Sequence, residues 1–130
     1  MKFTIDIDHG GPIFEQLVRQ IKFAIAEGVL VPGEMIPSTR ELARQLAINP
    51  NTVQRAYTEL QGEQVVEAQR GRGLAVASGA KRICVSARQQ LIVERLERAI
   101  DEGLRSGLEP DHLRNLFERQ LKKTIRQQGE

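Results

Sequence analysis

Four polar side chains stand close together at the start of a predicted helix: Asn51, Thr52, Gln54 and Arg55. Asparagine and glutamine amides pair with adenine through two hydrogen bonds, and an arginine guanidinium pairs with guanine in the same way. Recognition helices present residues of these types from their first turns to the major groove of DNA. We therefore predict that this segment contacts base edges and phosphates.

Three arginines extend this predicted surface. Arg40 falls in the first turn of the preceding predicted helix, and Arg70 and Arg72 alternate with Gly71 and Gly73 at a predicted hairpin tip. Arginines contact phosphates, and glycines let the backbone turn tightly and approach a duplex without a Cβ in the way. We predict that Arg40 reaches the same DNA and that the tip enters or flanks an adjacent minor groove. Taken singly, each arginine has a second interpretation as a solvated surface residue.

Two predicted helices must position these side chains. Ser38, three residues before Glu41, indicates a capping box at the start of the first helix. Asn49 is a suitable N-cap for the second, and Pro50 at its first position loses no hydrogen bond; this helix should end at about Gly62. Two helices joined by a tight turn form a helix-turn-helix. Four residues at helical spacing are expected to pack inward: Val53, Ala56, Tyr57 and Leu60.

The segments around this pair complete a winged domain. The residue pattern indicates an extended arm at residues 1–12, which leads into a first helix. It also indicates a very short extended segment at residues 35–36. Alternating apolar residues predict two strands at 65–70 and 74–77. The predicted fold class is mainly α with a small β wing: a winged helix-turn-helix over residues 1–79, followed by a helical tail.

The tail, residues 80–130, predicts two amphipathic helices. A capping box at Ser86 and Gln89 is expected to begin the first helix, and Pro110 to begin the second. Such a pair cannot bury both apolar faces by itself, so we predict a dimerisation tail, with an ordinary intrachain core as the alternative. The predicted dimer interface is Leu96, Ile100, Leu113, Phe117 and Leu121.

Composition excludes several classes of protein. With 40% hydrophobic and 28% charged residues the chain is typical of a globular protein, and no apolar run approaches the ~20 residues of a membrane span. The acidic opening MKFTIDID lacks the pattern of a signal peptide, so we expect a cytoplasmic protein without a membrane partner. A single cysteine, Cys84, in an apolar setting predicts a buried, inert thiol.

Neither overall charge nor a catalytic motif identifies a function. Residues 1–79 carry 8 basic and 9 acidic side chains, and residues 80–130 carry 11 and 8. His9 and His112 have no ligand-spaced partners, so we expect no metal. Because no Ser/His/acid set, phosphate-binding glycine loop or paired carboxylates stand out, we predict that the chain is not an enzyme and needs no cofactor.

Five motifs in register resemble the GntR family of bacterial transcription regulators, and the short tail resembles its YtrA-type subgroup. They are residues 12–17 (PIFEQL), 32–34 (PGE), 36–43 (IPSTRELA), 49–57 (NPNTVQRAY) and 70–73 (RGRG). The resemblance implies a winged helix that binds double-stranded operator DNA as a homodimer, usually as a repressor of operons that often include transporter genes.

The same resemblance implies which residues contact DNA: the arginine matched by Arg40, the start of the recognition helix and the wing tip. Long-tailed relatives often have an arginine where this chain has Pro50, so base reading should shift to the residues that follow. The complete predicted DNA surface is Ser38, Arg40, Asn49, Asn51, Thr52, Gln54, Arg55, Arg70, Gly71 and Arg72.

Two alternatives stay open. A winged helix that binds another protein and no DNA would share these elements. The large effector-binding domains of other subgroups have no counterpart here, so an unidentified small-molecule effector either binds between tail and winged domain or is absent, with control by expression level alone.

Overall fold

The computed structural model describes residues 2–8 and 10–129, which form two compact units divided after residue 89. His9, for which we predicted no role in a metal site, lies outside the described residues. Helices dominate, and two short strands form an antiparallel wing, which confirms the predicted fold class. The elements are α1 (Ile13–Glu27), α2 (Thr39–Leu46), α3 (Pro50–Gly62), β1 (Val66–Gln69), β2 (Gly73–Val76), α4 (Ala80–Arg105) and α5 (Pro110–Gln128).

Side-chain caps from Ser38 and Asn49 begin the two helices of the helix-turn-helix, as predicted, although within the described residues the capping box shows only its Ser38 half. The Ser38 Oγ accepts a hydrogen bond from the Glu41 backbone N–H at 3.1 Å and so caps α2. The Asn49 Oδ1 accepts one from the Asn51 N–H at 2.8 Å, and Pro50 follows as the first residue of α3. Between the two helices Ala47 adopts a left-handed backbone conformation that ends α2. Local sequence therefore fixes where the candidate recognition helix begins.

The core of the first unit is built around α3, which packs on both α1 and α2. All four α3 residues predicted to point inward are buried, and Leu17, Ile21 and Ile25 of α1 pack into the same cluster. Because the apolar side of α3 is fully used inside the unit, its polar side must face solvent.

The wing is a hairpin with a third, shorter partner. β1 pairs with β2 in a register that runs from Val66 opposite Val76 to Gln69 opposite Gly73. The first strand is one residue shorter at each end than predicted, and the second has the predicted length but begins one residue earlier. The predicted extended piece lies along β2, where the Ile36 N–H donates to the Leu74 carbonyl at 3.0 Å. This segment therefore joins the wing to the residues that precede α2.

One prediction about the tail is wrong. α4 begins at Ala80, so Ser86 and Gln89 lie inside the helix and form no capping box at its start. Ala80 and Cys84, one helical turn apart, are buried in the core of the first unit, and this burial extends the helix toward its N-terminus. Cys84 is buried, as predicted, and burial raises the pKa of its thiol.

In the second unit, α4 and α5 approach closely at one glycine. The Leu113 side chain lies 2.6 Å from the place that a Cβ on Gly103 would occupy, so any other residue there would force Leu113 to shift. α5 begins at Pro110, as predicted, and none of its residues is buried. In the described part of the chain, no helix is long and apolar enough to cross a membrane.

Candidate nucleic-acid interface

The outer side of α3 is polar over its first two turns. Asn51, Gln54 and Arg55 are exposed, and Thr52 is half-buried. The buried residues Val53 and Ala56 interleave with them, so the helix separates an inner apolar side from an outer side that carries hydrogen-bonding groups. The structure therefore exposes three of the four base-reading candidates and holds the fourth at the edge.

A hydrogen bond connects the start of α2 to this outer side. The Thr39 hydroxyl donates to the Gln54 Oε1 at 3.2 Å, and the Gln54 Nε2 donates to the Thr58 hydroxyl at 3.2 Å. Arg40 follows Thr39 and is exposed. The candidate phosphate contact in α2 therefore adjoins the polar side of α3.

Ser38 and Asn49 have a structural task in addition to their predicted place on the DNA surface. Each is exposed, and each uses its side-chain oxygen to cap a helix. The Ser38 hydroxyl proton and the Asn49 amide N–H groups are the side-chain donors that these caps leave available.

The wing tip presents both predicted arginines to solvent. Arg70, Gly71 and Arg72 are exposed between the two strands, and the Arg72 N–H donates to the Gln69 carbonyl at 2.8 Å. Gly71 has a φ of 75°, a left-handed conformation that favours glycine. The turn therefore favours the glycine predicted there.

One buried hydroxyl holds the three parts of the candidate interface together. The Tyr57 hydroxyl of α3 donates to the Pro37 carbonyl at 2.8 Å, directly before the cap of α2 and after the segment that pairs with β2. Sequence reasoning placed Tyr57 in the core and missed this contact. The available signal was that a buried tyrosine hydroxyl usually has a hydrogen-bond partner.

Burial, and to a lesser degree the nearby Glu41 carboxylate, hold the pKa of Tyr57 above its ordinary value. Because this pKa is raised in the folded state, the neutral Tyr57 side chain makes its full contribution to stability below about pH 10. The contribution decreases as the pH rises further, because only the unfolded chain ionises there. We expect the unfolding free energy to fall above that pH by up to about 1.4 kcal/mol per pH unit.

Ultraviolet titration checks this directly, because Tyr57 is the only tyrosine and the chain has no tryptophan. Tyrosinate absorbance should appear at about pH 10 in urea-unfolded protein, whereas in native protein it should appear only when the protein unfolds. Urea titrations of Tyr57→Phe should show a shallower loss of stability above this pH. A native protein with half-formed tyrosinate at about pH 10 would contradict the buried hydrogen bond.

Arg55 has a contact that the sequence did not indicate. Its guanidinium carbon lies 3.7 Å from the centre of the Phe14 ring in the first turn of α1. The two residues are far apart in sequence, so helical spacing could not reveal the pair. The packing of α1 against α3 brings them together.

The N-terminal arm is fastened to α1 by two glutamines, which sequence reasoning also missed. The Gln16 amide accepts from the Asp6 N–H at 2.8 Å and donates to the Asp6 carbonyl at 2.6 Å. Gln20, one turn later, makes the same pair of bonds with Thr4. Because one helical turn nearly matches the rise of two extended residues, both amides fit one strand-like arm.

The second unit exposes an apolar groove along α4 and α5. Its volume is about 620 Å³, and Leu96, Ile100 and Phe117 line it with their side chains 39%, 49% and 51% exposed. Leu121 is also exposed, whereas Leu113 is half-buried because it packs on Gly103. Four of the five predicted interface residues therefore lie open to solvent in the single chain.

Comparison with known sequences identifies relatives over most of the chain. The model of the family described as bacterial regulatory proteins, gntR family, matches residues 13–76. The chain is similar to the HTH-type transcriptional repressor YtrA of Bacillus subtilis (strain 168), with 38% identity over 109 residues that cover 84% of each protein. The similarity extends past the winged helix into the tail.

Solved structures share the same arrangement of elements. A transcriptional regulator from Oenococcus oeni superimposes with a TM-score of 0.78 at 30% identity, covering 91% of this chain and 98% of that one. YtrA from Sulfolobus acidocaldarius, a GntR-family transcription factor, has a TM-score of 0.56 at 31% identity, with 93% and 97% covered.

Proposed function

The chain belongs to the GntR family of bacterial regulatory proteins, in its YtrA-type subgroup, and we propose that it is a repressor that binds an inverted repeat in operator DNA as a homodimer. Membership of the family makes the chain a DNA-binding transcription regulator and not an enzyme. We further propose that it acts as a repressor, forms a dimer, contacts DNA through the predicted residues and is located in the cytoplasm.

The observation that carries the proposal is the division of α3 into two sides. Its apolar side is fully buried, and its first two turns expose Asn51, Gln54 and Arg55. In a major groove, each amide is suited to pair with an adenine and the guanidinium to pair with a guanine or contact a phosphate. Arg40 and Arg72, also exposed, would neutralise phosphates on either side and so set the position of the helix on the duplex.

The dimer is supported by the groove of the second unit. A 19-residue helix without a single buried residue leaves its apolar stripe in water unless another surface covers it. A second copy is the natural occupant, because a twofold interface brings the same patch from each chain together and needs no other partner. Two joined copies would present two recognition helices to successive major grooves, about 34 Å apart.

Alanine substitution of Arg40 and Arg72 tests the DNA surface. A phosphate contact contributes to every sequence, so Arg40→Ala and Arg72→Ala should each weaken operator and random DNA alike. Each variant should also flatten the plot of log K against log salt by about 2, since a dimer loses two phosphate contacts. Fluorescence anisotropy across a salt series measures both effects.

Arg119→Ala is the matched control, because it removes the same charge from an exposed position of α5 outside the apolar groove. Its affinity and salt slope should equal those of the wild type. If Arg40→Ala and Arg72→Ala bind as tightly as this control, Arg40 and Arg72 do not contact DNA. If the wild type itself binds no duplex, the alternative of a protein-interaction module replaces the proposal.

A further inference from the structure

The stacked pair of Phe14 and Arg55 joins the candidate recognition helix to a different helix. With its guanidinium carbon 3.7 Å from the ring centre, Arg55 lies over the face of the ring, the geometry of a cation–π contact. Phe14 comes from the first turn of α1 and Arg55 from the second turn of α3. The contact therefore fixes a long, flexible side chain of α3 against a surface outside its own helix.

The ring that supports Arg55 is itself held in place. Phe14 is half-buried and packs against the core of the first unit. Two residues later, the buried Gln16 bonds to the backbone of Asp6 and Gly11, so the arm is fastened to the same helix start that carries the ring. A platform anchored in this way has little freedom to move with the arginine.

Stacking leaves the guanidinium able to bind. Its five N–H donors lie in the plane of the group and point outward from its edges, and within the described residues none of them donates a hydrogen bond. Arg55 is exposed, and within residues 2–8 and 10–129 it takes part in no ion pair. Its positive charge is therefore not neutralised by a carboxylate and its donors remain available to an anion or a base edge.

We propose that Phe14 is a positioning residue for DNA binding: its ring holds the Arg55 guanidinium in place before DNA arrives. The inference rests on the proposed function, since it concerns how one residue of that DNA surface is prepared. An arginine side chain loses considerable rotamer freedom on binding, and holding it in advance reduces this loss. Phe14 would act without touching DNA.

A double-mutant cycle tests the proposal. Phe14→Leu keeps apolar bulk but removes the ring, and Phe14→Tyr keeps the ring. We expect Phe14→Leu to weaken binding of an inverted-repeat duplex, selected from random sequences by the wild type, by about two- to fivefold, and Phe14→Tyr to bind it like the wild type. In an Arg55→Ala background, Phe14→Leu should have no further effect. Urea unfolding of each variant reports any loss of stability separately.

Each other outcome overturns the inference. Equal weakening by Phe14→Leu with and without Arg55 would mean that the ring acts only through the fold. No weakening by Phe14→Leu would mean that Arg55 needs no platform. Normal binding by Arg55→Ala would remove Arg55 from the DNA surface, although the proposed function would stand as long as the Arg40 and Arg72 variants still bind weakly.

Discussion

Replacing Phe117 by aspartate is expected to turn the dimer into a monomer and to lower affinity for a full inverted repeat by about two to four orders of magnitude. Phe117 lies in the apolar groove of the second unit with half of its surface exposed. A carboxylate there would be buried without a partner if two copies joined, so the interface should not form. In a dimer, binding of one winged domain raises the effective concentration of the other at its half-site, and a monomer loses this gain in affinity.

Light scattering coupled to size-exclusion chromatography measures the oligomeric state, and gel-shift titrations compare a full repeat with a single half-site. The Phe117→Asp monomer should bind the half-site about as well as wild type does. Asn115→Asp is the matched control, because it adds the same charge to an exposed position of α5 outside the groove. If the Phe117→Asp protein remains dimeric, this groove is not the dimer interface and must bind another partner.

Asn51→Ala should weaken the cognate operator by about 1 to 3 kcal/mol while leaving binding to random DNA nearly unchanged. The amide is exposed at the second position of α3, where recognition helices read bases. Within the described residues its side chain makes no hydrogen bond, so it gives up no protein contact when it pairs with a base. Competition titrations with specific and scrambled duplexes separate the two affinities.

Gln54→Ala should act in the same direction with a smaller effect. The Gln54 amide already bonds to Thr39 and Thr58, both at 3.2 Å, and must exchange these contacts for a base. Gln61→Ala removes a matched exposed amide from the C-terminal end of α3 and should bind both duplexes like wild type.

If Asn51→Ala weakens specific and random DNA equally, Asn51 contacts the phosphate backbone and not a base.

The sequence predicted α3 well because local chemistry determines it. Asn49 and Pro50 begin α3, and a four-residue apolar pattern fixes which side is buried; both depend on residues within about one turn of each other. The same holds for the α2 cap at Ser38 and for Gly71 in the wing turn. Short-range signals of this kind do not depend on what the rest of the chain does.

The start of α4 could not be predicted in the same way. Ser86 and Gln89 have the spacing of a capping box, yet Ala80 and Cys84 bury into the core and continue the helix through them. Burial against distant residues outweighs a cap that contributes about 1 kcal/mol. A pattern read locally gives no information about that competing burial.

The contacts that organise the candidate interface are also long-range. Tyr57 reaches Pro37, Arg55 stacks on Phe14, and Gln16 holds the arm at Asp6. Each partner lies ten or more residues away, and helical or strand periodicity cannot pair such positions. These contacts explain how the exposed residues are held, whereas sequence alone indicated only which residue types would be available.

Selection of bound sequences from a pool of random duplexes by the wild-type protein tests the central claim most directly. If the outer side of α3 reads bases and two copies act together, the enriched sites should be inverted repeats whose half-site centres lie about one helical turn, roughly 10 base pairs, apart. Recovery of duplexes without any common sequence, or of sites without twofold symmetry, would contradict it.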